Sequence, residues 1–134
     1  MSRPFAYAIK AGTAGIMATY NQINNSYSTQ NSYTLNQLLK NELGFQGFVM
    51  SDYGALESGV SSALAGLDIS MPGDIVPLSG TSFWSGNLTM AVLNGSVPLW
   101  RLDDMCMRIM AAWYYVGRDT IDIPVNYHSF NTDE

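Results

Sequence analysis

The sequence predicts an α/β fold with parallel strands, on the strength of three observations. Short apolar runs near residues 15–20, 48–51 and 67–71 alternate with segments of helical periodicity. The runs are almost continuously apolar, as in parallel strands that are covered on both faces. Glycines follow the helical segments, where they can end a helix. Such alternation implies right-handed crossovers between neighbouring parallel strands.

In the first half of the chain we predict a helix, a strand, a loop and a second helix. The first helix spans about 4–12 and closes at Gly12, and the strand spans Gly15–Tyr20. The polar loop 21–33 is long for a connection between a strand and a helix, and long loops are often functional. The second helix opens with a capping box, Thr34 to Gln37. Its apolar face comprises Leu35, Leu38, Leu39 and Leu43, and Gly44 ends it.

The second half repeats the alternation and then becomes helical. We predict a strand at Phe48–Ser51, a helix at about Ala55–Ala65 and a third strand at Leu67–Met71, broken by Pro72 and Gly73. Residues 74–83 are predicted to be a loop, followed by a short helix at about Trp84–Leu93. A longer helix is predicted from Pro98 to Gly117, with Ser96 as a candidate N-cap. Its predicted apolar face comprises Leu99, Leu102, Met105, Cys106, Ile109, Met110 and Trp113.

The charge content and net charge of the chain limit its surroundings and its partners. The chain has 134 residues, 47% hydrophobic and 13% charged. Soluble domains carry about 25% charged residues, so this chain either buries much of its surface or belongs to something larger. The net charge of −5 argues against nucleic acid and anionic membranes as partners. No apolar run is long enough for a transmembrane helix, and the first residues lack the pattern of a secretory signal. We therefore expect either a cytosolic chain or one cut from a longer precursor.

Asp52 is the most informative candidate for chemistry. It directly follows a predicted parallel strand, and reactive groups of α/β folds collect at such carboxyl ends. Nearby helix N-termini would keep its carboxylate ionised, as a nucleophile requires. Asp is also a common N-cap, and position alone favours that structural role. Tyr53 beside it could stack on a sugar ring, and Tyr20 ends the preceding strand on the same rim.

Other candidates are weaker. Asp68 lies inside a predicted strand, where a buried acid must find hydrogen-bond donors, so we expect a structural role. Met71 to Asp74 is predicted to be a turn. His128 is the single histidine and Cys106 the single cysteine. A single cysteine cannot form an internal disulfide. The single histidine and the lack of a glycine-rich phosphate loop predict no metal, no cofactor and no Ser-His-Asp triad.

Three segments carry a resemblance to a known family: YNQINN, GFQGFVMSD and GLDISMPGD, in this order. With them, residues 4–119 resemble glycoside hydrolase family 3, in particular the fungal β-glucosidases. The resemblance implies a partial (β/α)8 TIM barrel, namely the last three βα units and the C-terminal helices. Domain 1–119 would be the C-terminal portion of the barrel, and 120–134 a linker toward a sandwich domain.

The resemblance also implies roles for individual residues. Asp52 would be the nucleophile of a retaining mechanism on β-glucosides and cello-oligosaccharides, as in cellulose breakdown. Tyr20 would orient it, and Met17 and Tyr53 would line the glucose subsite. Relatives commonly have Trp where Tyr53 stands, which alters the subsite, and often have polar or His residues at Leu56 and Glu57.

A full barrel needs roughly 250 residues, so we expect earlier strands and the acid/base glutamate to lie outside this chain, which would be inactive alone. The resemblance implies a secreted parent enzyme, and the glycosylation sequons at Asn24, Asn87 and Asn94 give weak support for secretion. Two alternatives stay open: a stand-alone noncatalytic remnant that binds sugar or a protein, and an incomplete gene model of an intact enzyme.

Overall fold

The computed structural model describes residues 3–76 and 78–121. Most of the predicted linker, with His128, lies outside the described residues. The strands are β1 (Gly15–Ala18), β2 (Gln22–Ile23), β3 (Ser26–Tyr27) and β4 (Phe48–Ser51). The α-helices are α1 (Arg3–Lys10), α2 (Val60–Ala65), α3 (Gly86–Leu93) and α4 (Leu99–Tyr115). A 3₁₀ turn at Ser28–Gln30 and a π-helix at Tyr33–Glu42 complete the regular structure of these residues.

Parallel pairing is confirmed, with β4 in the middle. Strand β1 pairs with β4 in parallel, with Met17 opposite Met50. On the other side of β4, a single parallel bridge joins Met50 to Ile69. The predicted third strand, Leu67–Met71, is therefore wrong in length. The reason is that the Val49 N–H donates to the carboxylate of Asp68 instead of a backbone carbonyl.

The predicted loop 21–33 is wrong in part, because most of it is regular. β2 and β3 form an antiparallel hairpin. Its turn residues Asn24 and Asn25 have φ of 48° and 64°, values that asparagine tolerates in tight hairpin turns. The capping box is also wrong: the Thr34 N–H donates to Oδ1 of Asn31 at 2.9 Å, so Asn31 caps the π-helix.

One helix start and one predicted helix cap differ from the prediction. The predicted helix from Ala55 begins only at Val60, because buried Thr29 donates to the Ala55 carbonyl at 3.2 Å and holds that residue in a loop. The last helix begins after Pro98, which occupies the N-cap position without a side-chain cap hydrogen bond, so Ser96 is not its cap. The remaining predicted helices are confirmed within two residues at their starts.

The core lies between the sheet and the helices. The largest of its almost completely buried apolar side chains are Phe45, Leu67, Val49 and Val97. Of the predicted apolar face of α4, Met105 is buried, whereas Leu99 is 61% and Met110 47% exposed. A helix that is apolar beyond its buried face usually packs inside a larger protein. Among the described helices, none is long and apolar enough to cross a membrane.

Candidate functional site

Asp52 lies at the carboxyl end of the central strand. Its N–H donates to the Ala18 carbonyl at 2.7 Å, which extends the ladder between β1 and β4 by one residue. Side chains alternate along a strand, so Asp52 faces the same side as Met50 and Met17. The opposite side, with Ile16 and Val49, belongs to the core. The sheet thus presents Asp52 on the face that the described helices do not fill.

The local geometry does not make Asp52 a helix cap. The next helix starts at Val60, eight positions later, and its own N-cap position is Gly59. Instead, Oδ1 of Asp52 accepts the N–H of Tyr53 at 2.6 Å, and the Asp52 carbonyl accepts the N–H of Ala55 at 3.1 Å. The structural role that position alone favours is therefore wrong. Asp52 is half-buried and lies at the start of the loop that joins β4 to α2.

The structure brings Tyr20 and Tyr53 to Asp52. The Tyr20 hydroxyl donates to the Tyr53 carbonyl at 2.7 Å, across 33 positions of sequence. Partial loss of hydration and the negative charge of Asp52 raise the pKa of Tyr20 above its ordinary value. Both tyrosines are more than half exposed in the part of the chain that the structure describes. These three residues form one cluster at the rim, as the sequence predicts.

Met17 lies on the same face as Asp52 and is 57% exposed. It also lines an apolar groove of about 320 Å³ along the free edge of β1, which includes Phe5, Ile23 and Leu38. Met17 therefore stands between the rim cluster and this groove. The sugar-subsite role that the family resemblance implies for Met17 stays a prediction.

The 3₁₀ turn supports the loop that follows Asp52, a role that is not among the predictions from the sequence. Buried Thr29 donates to the Ala55 carbonyl, and Gln30 Oε1 accepts the Ser58 hydroxyl at 2.7 Å. Ser28 donates to the Thr19 carbonyl, which ties the turn to the end of β1. The run Ser-Thr-Gln carries no apolar signal, so its burial could not be predicted from periodicity.

A buried ion cluster lies behind the rim and is centred on Asp68. Its Oδ1 contacts Lys40 Nζ at 2.9 Å and Arg101 Nη2 at 2.7 Å. Asp104 extends the cluster, through Arg101 at 2.7 Å and Arg108 at 2.8 Å. Burial lowers the pKa of Lys40 to about 8, although the charge of Asp68 opposes that shift. The prediction that Asp68 finds donors is confirmed. The cations that pair with Asp68 are not among the predicted contacts. The signal for them is that a buried acid needs cations, in a chain with only six Lys and Arg.

The three sequon asparagines are exposed. Asn24 lies in the hairpin turn. Asn87 Nδ2 donates to the Ser82 carbonyl at 2.6 Å, and Asn94 Oδ1 accepts the Ser96 N–H at 2.9 Å. No cluster of three or more His, Cys, Asp or Glu suited to a metal occurs within residues 3–76 and 78–121.

Comparison with known proteins gives a consistent result. Residues 1–112 match the model of the glycosyl hydrolase family 3 N terminal domain. Beta-glucosidase 1 of Aspergillus aculeatus is 69% identical over 131 residues, which are 98% of this chain and 15% of that protein. The β-glucosidase structure from Chaetomium thermophilum superposes with a TM-score of 0.85 at 63% identity, covering 92% of this chain and 15% of that one. β-Glucosidase 3B from Thermotoga neapolitana, solved with glucose, gives 0.76 at 30% identity, covering 84% and 16%. The chain thus spans about 15% of the length of the curated relatives it matches.

Proposed function

Because this chain belongs to glycosyl hydrolase family 3, we propose that it is part of a retaining β-glucosidase in which Asp52 is the nucleophile. One observation carries this proposal. Asp52 leaves the central parallel strand toward the open face of the sheet and lies close to the Tyr20 hydroxyl, which donates to the backbone carbonyl of the adjacent Tyr53. A carboxylate with aromatic neighbours at such a rim suits attack on a sugar ring.

The parent fold that we propose is a TIM barrel. β1, β4 and the segment 67–71 would be its last three strands, and residues 1–119 the C-terminal portion of that domain. Residues 120–134 would begin a linker to a sandwich domain. The parallel order supports this proposal, and so does the exposure of apolar side chains on α4, such as Leu99, which the rest of a barrel enzyme would cover.

The proposed reaction proceeds in two steps. The Asp52 carboxylate attacks the anomeric carbon of a terminal β-glucosyl residue, and the bond to the leaving oxygen breaks to give a covalent glycosyl-enzyme. Water then releases glucose. An acid/base glutamate protonates the leaving group and activates the water, and we place it in the sandwich domain of the parent. Tyr20 would hold the orientation of Asp52, and Met17 and Tyr53 would line the glucose subsite.

The substrates would be cellobiose and other cello-oligosaccharides or β-glucosides. Retaining chemistry needs two carboxylates about 5–5.5 Å apart, so we propose that the isolated chain is inactive. A secreted parent is proposed with glycans at Asn24, Asn87 and Asn94. The relatives that align with 98% of this chain are named β-glucosidases, which does not favour a noncatalytic stand-alone protein.

A chimera tests the proposal. This chain replaces the matching segment of a full-length fungal relative, and the product is treated with a 2-deoxy-2-fluoro-glucoside that traps the glycosyl-enzyme. Peptide mapping should find the sugar on Asp52. A label on any other residue, or an active chimera that still turns over after Asp52→Asn, would overturn the assignment.

A further inference from the structure

We propose that Asp68 is a positioning residue, whose carboxylate takes the place of a backbone carbonyl in the sheet and so sets the register of the strand that carries Asp52. The functional half of this inference rests on the proposed nucleophilic role of Asp52. The structural half stands on the hydrogen bonds around β4.

The hydrogen bonds on one side of β4 show the substitution. The Ser51 N–H donates to the Ile69 carbonyl at 2.9 Å, as in an ordinary parallel ladder. The preceding N–H on that side, from Val49, donates to Oδ2 of Asp68 at 2.8 Å. The Val49 carbonyl in turn accepts N–H groups from both Asp68, at 2.8 Å, and Ile69, at 3.0 Å. One hydrogen bond of this ladder, or rung, is therefore accepted by a side-chain carboxylate and not by a backbone carbonyl, at Val49, three residues before Asp52.

The carboxylate is fixed from two further elements. Its side chain is 0% exposed and contacts Lys40 of the π-helix and Arg101 of α4. Lys40 also donates to the Gly66 carbonyl at 2.7 Å. Arg101 donates to the carbonyls of Ala63 and Leu67, both at 2.7 Å. The rung from Val49 therefore ends on a group that cannot shift without breaking contacts to α4 and the π-helix.

An asparagine at position 68 keeps the shape of the side chain but has one hydrogen-bond acceptor oxygen in place of two. Asp68 accepts hydrogen bonds on both oxygens, from two cations and from the Val49 N–H. An amide has one acceptor oxygen, so its NH₂ group would face either the Val49 N–H or the cations. Asp104 is the matched control, because it pairs with Arg101, with Arg108 and, at 4.0 Å, with Lys40 in the same cluster, and it makes no hydrogen bond to β4.

The first experiment measures amide hydrogen exchange in the chimera. In Asp68→Asn we expect the amides of Val49 and Ser51 to exchange at least about tenfold faster, whereas Asp104→Asn leaves them unchanged. If Asp68→Asn does not fold, Arg101→Lys weakens the contacts that hold the Asp68 carboxylate. In that variant too, the amides of Val49 and Ser51 should exchange faster than in the wild type. The proposal would be overturned if the amides of Val49 and Ser51 exchanged at the same rate in the folded test variant, Asp68→Asn or Arg101→Lys, as in the control variant Asp104→Asn.

The second experiment measures turnover of an aryl β-glucoside. A misplaced nucleophile should lower kcat by up to about 100-fold in Asp68→Asn with KM changed little, and slow trapping by the fluoro sugar in parallel. Asp104→Asn should keep kcat within about threefold. A folded Asp68→Asn with unchanged kcat would refute the positioning role. A wild-type chimera without activity would instead refute the proposed function, and hydrogen exchange would still decide the register.

Discussion

The substitution Lys40→Met should change how stability depends on pH. Lys40 Nζ lies 2.9 Å and 3.0 Å from the two oxygens of Asp68 and 2.7 Å from the Gly66 carbonyl. Burial lowers its pKa from 10.5 to about 8, with Asp68 opposing and with Arg101 and Arg108 adding to the shift. Methionine keeps the unbranched shape of the side chain and removes the titrating group.

The sign follows from proton linkage. Folding disfavours the charged form of Lys40, so burial of this charge lowers the free energy of unfolding. The loss is fully present below pH 8. Between pH 8 and 10.5 the folded protein loses the proton while the unfolded chain keeps it, and the cost is relieved as pH rises. The free energy of unfolding of the wild type, relative to Lys40→Met, should therefore increase by about 1.4 kcal/mol per pH unit in this window.

Thermal unfolding of the chimera at pH 7.0, 8.0, 9.0 and 10.0 measures this difference. For one cooperative domain of barrel size, it corresponds to about 3–5 °C per pH unit above pH 8. The control is Lys10→Met, since Lys10 is exposed at the end of α1 and should leave the pH dependence as in the wild type. Parallel melting curves for wild type and Lys40→Met across pH 8–10 would refute the reasoning.

Three further outcomes are expected in the chimera. Asp52→Asn should lower kcat by about 10⁴-fold or more, whereas Asp103→Asn, an exposed acid on α4, should not, and glucoside hydrolysis compares the two. Tyr20→Phe should lower kcat by up to about 100-fold with a similar KM, because the loop after Asp52 loses its 2.7 Å tether; unchanged kinetics would contradict this role. Gly47→Ala should lower the free energy of unfolding by about 1–3 kcal/mol, because the added Cβ would lie 2.1 Å from a backbone carbonyl oxygen. The control is Gly86→Ala, where the added Cβ has open space around it. Equal melting temperatures of the two variants would contradict the steric argument.

The regular elements with a strong local signal could be predicted from the sequence. The strands at Gly15–Ala18 and Phe48–Ser51 and the helix Leu99–Tyr115 follow apolar patterns that have few alternatives. The rim position of Asp52 follows from the same pattern, since a residue directly after a parallel strand must lie at its carboxyl end. The prediction failed where side chains compete with the backbone, as at Asn31, whose amide caps the π-helix three residues before the expected site.

The parallel α/β class, the two paired strands and the position of Asp52 could be predicted from the amino-acid sequence, because each follows from a local pattern of apolar residues. The hydrogen bond from Tyr20 to the Tyr53 carbonyl and the hydrogen bond from Val49 to the Asp68 carboxylate became evident only in the folded chain. Both contacts join residues at least 19 positions apart. Hydrogen bonds of this range depend on how the elements pack together, and no local pattern in the sequence encodes them.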